Sequence, residues 1–142
     1  MTARIESQVL IVGAGLSGLL AARRLAEAGI SAQVVDKGRS PGGRLATRRI
    51  GPGRADHGAQ FFTARSPEFL AHVNSWLTAG LVFVWSHGWS AGSLHAAPPD
   101  GHPRYAARDG MNQIARHLAQ GLDLRLNTRL TALESASDGW LG

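Results

Sequence analysis

The sequence predicts an α/β protein built on a parallel sheet, and three observations predict it. Val9-Leu10-Ile11-Val12 runs directly into Gly13-Ala14-Gly15-Leu16-Ser17-Gly18, a Gly-x-Gly-x-x-Gly turn. A helix-like stretch of small apolar residues follows, and a second short apolar run ends on Asp36. Much later, Leu122, Leu124 and Leu126 alternate with Asp123, Arg125 and Asn127, the period of a third strand that joins the first two.

Four consecutive apolar residues at 9–12 read as a strand buried on both faces, as in the interior of a parallel sheet. Gly13 permits the tight turn. Gly15, lacking a Cβ, lets a pyrophosphate approach the backbone, and Gly18 lets the helix pack closely on the strand. The helix N-terminus offers unpaired N–H groups and positive dipole charge to phosphates. Leu19, Leu20, Ala21, Ala22, Leu25, Ala26 and Ala28 make a face that lies flat on a sheet, and Gly29 stops the helix. The next strand, Ser31–Val35, delivers Asp36 about 20 residues past the glycines, where an acid accepts hydrogen bonds from ribose hydroxyls. With 18 glycines in the chain the glycine pattern alone says little. Strand, turn, helix, strand and acid in this order predict a Rossmann-like dinucleotide-binding fold.

The chain has 142 residues, which fits one domain with a real core. Hydrophobic content of 44% and charged content of 18% are those of a soluble globular protein. The absence of cysteine excludes disulfides, thiolate catalysis and Cys-based zinc sites, and fits a reducing compartment. No apolar run reaches membrane-spanning length, so no membrane partner is expected. Glu6 and Gln8 interrupt the stretch after Arg4 that resembles a signal peptide. These features place the protein in the cytoplasm. Net charge is +5, and all but one of the 15 basic residues are arginine, with a cluster from Arg39 to Arg65. The cluster adjoins the phosphate-binding turn and no nucleic-acid motif is present. An anionic cofactor or substrate therefore explains it better than nucleic acid, with a solvated surface accounting for part.

Residues 37–65 are loop-rich, and long ordered loops usually carry function. Gly42-Gly43 lets backbone pass close to a ligand, and the Arg44 fork matches phosphate oxygens two at a time. Ala55–Thr63 reads as a short extended segment. Ser66 is placed to N-cap a helix with Pro67 at its first position and Glu68 near its positive end; Phe69, Leu70, Val73, Trp76 and Leu77 form its apolar stripe, and Gly80 ends it. Leu81–Trp85 reads as a strand. From Ser86 to Arg108 the chain reads as an irregular β excursion. Asp109-Gly110 opens a helix with Met111, Ile114, Ala115 and Leu118 inward, closed by Gly121. Thr131–Glu134 is extended, and Asp138–Gly142 begins another strand.

His57, His72, His87, His95, His102 and His117 show no ligand spacing, so no metal site is expected. His57 reads as a loop histidine, with tuning of a cofactor as the alternative; His72 and His117 lie on predicted helices as surface or half-buried residues. Trp76 and Trp85 read as core; Trp89 and Trp140 leave an aromatic box for a cation open. No serine elbow or triad is present.

Arg39-x-x-Gly42-Gly43-Arg44, a fixed distance after Asp36, resembles the second flavin signature of glutathione-reductase-type FAD-binding domains of the flavin-containing amine oxidase superfamily. Within that group the longer stretch Asp36-Lys37-Gly38-Arg39-Ser40-Pro41-Gly42-Gly43-Arg44, followed by Asp56-His57-Gly58-Ala59-Gln60-Phe61-Phe62-Thr63-Ala64-Arg65, is most similar to the renalase-like oxidoreductases. The resemblance is specific over residues 9–65 and loose beyond. It implies FAD as cofactor. Gly13, Gly15 and Gly18 would cradle the pyrophosphate, together with Ala14, Leu16 and Ser17 of the same turn. Asp36 would hold the adenosine ribose beside Lys37 and Arg39, Gly43 and Arg44 would meet the phosphates, and Gly58, Ala59, Gln60 and Phe61 would run beside the flavin. Many FAD proteins carry Glu where Asp36 stands. The redox chemistry would be the flavin's, so no catalytic acid or base is assigned. A hydride would pass from a small-molecule donor, an isomeric dihydronicotinamide dinucleotide or an amine, to the flavin, and dioxygen would reoxidise it to give hydrogen peroxide. The resembled enzymes are much longer, so residues 1–142 read as the N-terminal part of such a domain, with uncovered apolar surface that favours self-association. A non-catalytic FAD- or NAD-binding module is the alternative; an NAD(P)-dependent dehydrogenase fits Gly42-Gly43-Arg44 less well.

Overall fold

The structure, a computed structural model, describes residues 7–88 and 101–141. The expectations for Arg4, Glu6, Trp89, His95 and most of the 86–108 excursion lie outside the described residues. In chain order the elements are β1 (Val9–Val12), α1 (Leu16–Glu27), β2 (Ala32–Val35), a 3-10 turn (Gly43–Leu45), β3 (Thr47–Ile50), β4 (Gly53–Asp56), α2 (Pro67–Thr78), β5 (Val82–Ser86), β6 (Arg104–Ala107), α3 (Asn112–Ala119), β7 (Asp123–Arg125), β8 (Glu134–Ala136) and β9 (Gly139–Leu141). They form two compact units. The first takes the described residues up to Gly43 and from Ala115 onward, and the second runs from Arg44 to Ile114, with the boundary inside α3.

The first unit is a Rossmann-like α/β arrangement. β1 pairs with β2 in parallel, Val9 opposite Ala32 through Val12 opposite Val35. β2 pairs with β7 in parallel, Gln33 opposite Asp123 through Val35 opposite Arg125, so the strand order is β1-β2-β7. The strand expected at 122–126 thus joins the first two. β2 lies in the middle and buries Gln33, Val34 and Val35. The buried amide of Gln33 is satisfied, its Nε2 donating to Asp123 Oδ2 at 2.7 Å.

β1 corrects the expectation of a strand buried on both faces. Leu10 is 39% exposed and Val12 60%, whereas Val9 and Ile11 are half-buried. The reason is position: β1 is an edge strand here, and alternate side chains of a strand point to opposite faces. α1 covers the face that carries Ile11. It buries Leu19 and Ala22 and ends before Gly29, whose φ of +72° is the left-handed conformation of a helix stop. Arg23 of α1 donates to the carbonyls of Leu118 at 2.9 Å, His117 at 3.2 Å and Gln120 at 3.0 Å, tying α1 to the C-terminal end of α3, where the His117 carbonyl also accepts from the Gln120 N–H at 3.3 Å. β8 and β9 form an exposed antiparallel hairpin.

The second unit contains a hairpin where a loop was expected. β3 and β4 pair antiparallel, Thr47 opposite Asp56 through Ile50 opposite Gly53, around a Gly51-Pro52 turn in which Gly51 has φ +58°. Arg48 to Ala55 are all exposed, so no hydrophobic alternation marks these strands. α2 begins as read: the Ser66 hydroxyl accepts from the Phe69 N–H at 3.2 Å, Pro67 occupies the first turn, and Val73 and Trp76 are buried. Phe62, Phe69, Trp76 and Tyr105 form an aromatic cluster with ring centroids 5.5–6.2 Å apart. β5 and β6 pair antiparallel. Trp85 on β5 corrects the expectation of a core residue. It is 50% exposed, on the outer face of a two-stranded ribbon, and stacks on Phe61 at 5.5 Å. α3 opens on two caps from the hairpin: Asp56 Oδ1 accepts from the Met111 N–H at 2.9 Å and Thr47 Oγ1 from the Asn112 N–H at 3.1 Å. Met111, Ile114, Ala115 and Leu118 are buried, as the sequence indicated.

Candidate functional site

The site is a backbone corner at the C-terminal ends of β1 and β2. Gly13 leaves β1 with φ +109°, which a side chain would strain. Gly15 is the N-cap of α1, with φ −79° and ψ 178°. Beyond its immediate chain neighbours, neither glycine would bring a Cβ within 4 Å of another described residue. At Gly15 the backbone is ordinary and the space is open, so the protein's own packing does not call for glycine there. Room of that kind suits a ligand held against the main chain. Gly18 differs: a Cβ there would collide with the Gly13 carbonyl and meet Ile11 Cγ2 at 3.2 Å, so this glycine serves helix–strand packing. No side chain caps α1 and no acid sits in its first turn. Its first N–H groups and its dipole therefore face outward, the arrangement that binds anions.

Two further segments close the corner. The Gly42 N–H donates to the Ala14 carbonyl at 2.9 Å, Gly15 and Gly42 form an isolated parallel bridge, and a Cβ on Gly43 would lie 3.5 Å from Gly15 Cα. Gly42, with φ +135°, and Gly43, with φ +52°, both need the freedom of glycine. Asp36 points into the corner. Its Oδ2 accepts from the Ala14 N–H at 2.7 Å and its Oδ1 from the Gly38 N–H at 2.7 Å. Each oxygen keeps one acceptor site for a ribose hydroxyl. An aspartate, one methylene shorter than glutamate, sits close enough to the loop to make both bonds.

The structure thus brings together Gly13, Ala14, Gly15, Gly18, Asp36 and Gly43. Leu16 and Ser17 form the first turn of α1, Leu16 half-buried and Ser17 exposed, and Lys37 and Arg39 are exposed beside Asp36. In the second unit, Arg44 is exposed in the 3-10 turn. The Ala59 N–H donates to the Arg44 carbonyl at 2.8 Å and the His57 N–H to that of Ala46 at 3.2 Å, so residues 57–59 run along residues 44–46. Gly58 is required there, because a Cβ would strike the Arg44 carbonyl. Gln60 is exposed and Phe61 is half-buried under Trp85. Sequence reasoning missed the exit of β7. The Thr128 N–H donates to the Asp36 carbonyl and the Asn127 N–H to that of Gly38, both at 2.9 Å. The one sequence signal is that the leucine alternation of 122–127 stops at Thr128, where the next apolar residue would fall. A shallow cavity of about 260 Å³ at the opposite ends of the strands, bounded by Ser31, Leu122 and Asp123, shares no residue with the corner.

A parallel sheet whose first turn presents bare backbone and a helix N-terminus, with an acid at the end of the next strand, defines a dinucleotide-binding fold. In agreement, residues 11–76 match the NAD(P)-binding Rossmann-like domain family. The chain is 44% identical to lysine-specific histone demethylase 1 homolog 2 of Oryza sativa subsp. japonica over 37% of its own length and 7% of that protein's. It is 40% identical to hydroxyneurosporene desaturase of Rhodobacter capsulatus over 44% of its own length and 13% of that protein's. Putrescine oxidase bound to putrescine, a solved structure, is 34% identical with a TM-score of 0.47, over 59% of this chain and 18% of the other. The chain spans less than a fifth of the length of each of these proteins.

Proposed function

We propose that the chain is the FAD-binding part of an oxidoreductase of the amine oxidase and desaturase kind, with residues 1–142 belonging to one FAD-binding domain. The observation that carries this is the corner itself, where two glycine segments and Asp36 meet around open space. The N–H groups of α1 would hold the diphosphate, the bare backbone at Gly15 and Gly43 would let it approach, and Asp36 would accept the ribose hydroxyls. Arg44 would add a charge-assisted contact to the phosphates, and Gly58, Ala59, Gln60 and Phe61 would line the flavin side. Lys37 and Arg39 would lower the cost of bringing two phosphates to the corner. The chemistry FAD supplies when bound is acceptance of a hydride from an organic donor, followed by reoxidation by dioxygen to hydrogen peroxide. If the chain is renalase-like the donor would be a dihydronicotinamide dinucleotide, and if it is amine-oxidase-like the donor would be an amine.

A second reading is a non-catalytic module. One observation favours it: the corner gathers glycine-rich backbone and the Asp36 carboxylate, groups that would hold a diphosphate and its sugar and supply no redox chemistry. Among the described residues no helix is long and apolar enough to cross a membrane. The cytoplasmic location is a proposal that rests on the sequence. Leu10 and Val12 leave an apolar strip on the edge strand that a second copy would cover. Size-exclusion chromatography showing a compact monomer would exclude that self-association.

The test is the visible absorption spectrum of the isolated protein and of protein mixed with FAD. Yellow flavin absorbance that co-elutes with protein is expected, and no uptake would refute the proposal. A peroxide assay with dihydronicotinamides and amines then separates enzyme from module, which binds without turnover.

A further inference from the structure

Asp36 has every polar group engaged. Besides its two carboxylate bonds, its N–H donates to the Arg125 carbonyl at 2.9 Å and its carbonyl accepts from the Thr128 N–H at 2.9 Å. The second of these is out of step with the sheet. β2 and β7 run in register with Val35 opposite Arg125. With Asp36 N–H on Arg125, a regular parallel ladder would next bring the Asn127 N–H to the Asp36 carbonyl. Thr128 makes that bond instead, and the Asn127 N–H reaches past it to the Gly38 carbonyl at 2.9 Å.

The residue that permits this slip is Asn127. Its φ is +53°, the one left-handed non-glycine residue among the described residues. Successive N–H groups of an extended strand point to opposite sides. One left-handed residue, as in a β-bulge, turns two successive N–H groups toward the same neighbour. Asparagine tolerates this conformation better than other side-chain-bearing residues, and a β-branched residue resists it. Asn127 is exposed, so burial does not impose the conformation.

We propose that Asn127 is a positioning residue for nucleotide recognition: its left-handed backbone locks the loop from Asp36 to Gly38 so that the Asp36 carboxylate stays fixed at the glycine corner. This rests on the dinucleotide reading given above. Holding the carboxylate in advance spares the protein the cost of ordering it when the sugar arrives.

The test uses ADP and 2′-deoxy-ADP as probes of the 142-residue chain, titrated calorimetrically. The wild type is expected to prefer ADP. In Asn127→Val, ADP affinity should fall about tenfold while 2′-deoxy-ADP affinity stays within about twofold, so the preference collapses. Asn127→Gly should restore it, because glycine adopts the same backbone freely. If Asn127→Val fails to fold, Asn127→Ala carries a milder form of the same strain and the same comparison. Equal weakening of both probes, or an unchanged preference in a folded Val or Ala variant, overturns the proposal. Binding of neither probe by the wild type overturns the dinucleotide reading and this inference with it.

Discussion

The two long helices begin in opposite ways. α1 and α2 each have 12 residues. α2 is finished by its own sequence: Ser66 caps it, Pro67 fills its first turn, and Glu68 faces its positive end. α1 starts at Gly15 with no cap, no acid and open space where a side chain would stand. A helix that needs only to fold is capped from within; one whose N-terminus is left bare keeps its N–H groups for something outside the chain. That difference locates the site, and it can be broken from either side.

The largest effect is expected from giving α1 the cap it lacks. Gly15→Asp has room and a suitable backbone, so thermal stability should hold or rise. FAD affinity, read by titration, should fall about a hundredfold, or about 2.8 kcal/mol, because the carboxylate takes the place of the phosphates. Gly18→Ala should do the reverse in kind. Its methyl meets the Gly13 carbonyl, so unfolding by denaturant should show a loss of about 2 kcal/mol. Ser66→Ala removes the cap of α2 and should cost about 1 kcal/mol in the same measurement, with FAD affinity unchanged.

Glu68 gives the smallest effect and sharpens the contrast by its sign. Hydrogen bonds from its own backbone N–H and from Ser66 hold its carboxyl below the usual glutamate value. A depressed acid stabilises the fold above its unfolded pKa, and that contribution is lost as pH falls through the folded value. Glu68→Gln should therefore lower the thermal midpoint slightly near pH 7 and make no difference at about pH 2.

The sequence showed most where a side chain's job is local. The α2 stripe, its Ser66 cap, the glycine corner and the inward face of α3 follow from spacing and turn chemistry within a few residues. What it hid depends on distant partners. Val9–Val12 looks like an interior strand, yet β1 is an edge, and edge or centre is decided by which strands pair. Trp85 looks like core because strand period says nothing about which face a ribbon buries. The β3–β4 hairpin is solvated along Arg48–Ala55, so the hydrophobic pattern that reveals strands is absent. Asn127 is an ordinary polar residue until its backbone is seen to be left-handed.

One measurement bears most directly on the bare helix start. FAD is titrated into the wild type and into Gly15→Ala, with thermal unfolding of both recorded alongside. Saturable binding to the wild type, its loss in Gly15→Ala, and matching unfolding midpoints are the predicted result. Equal binding by both proteins, or uptake by neither, would contradict it.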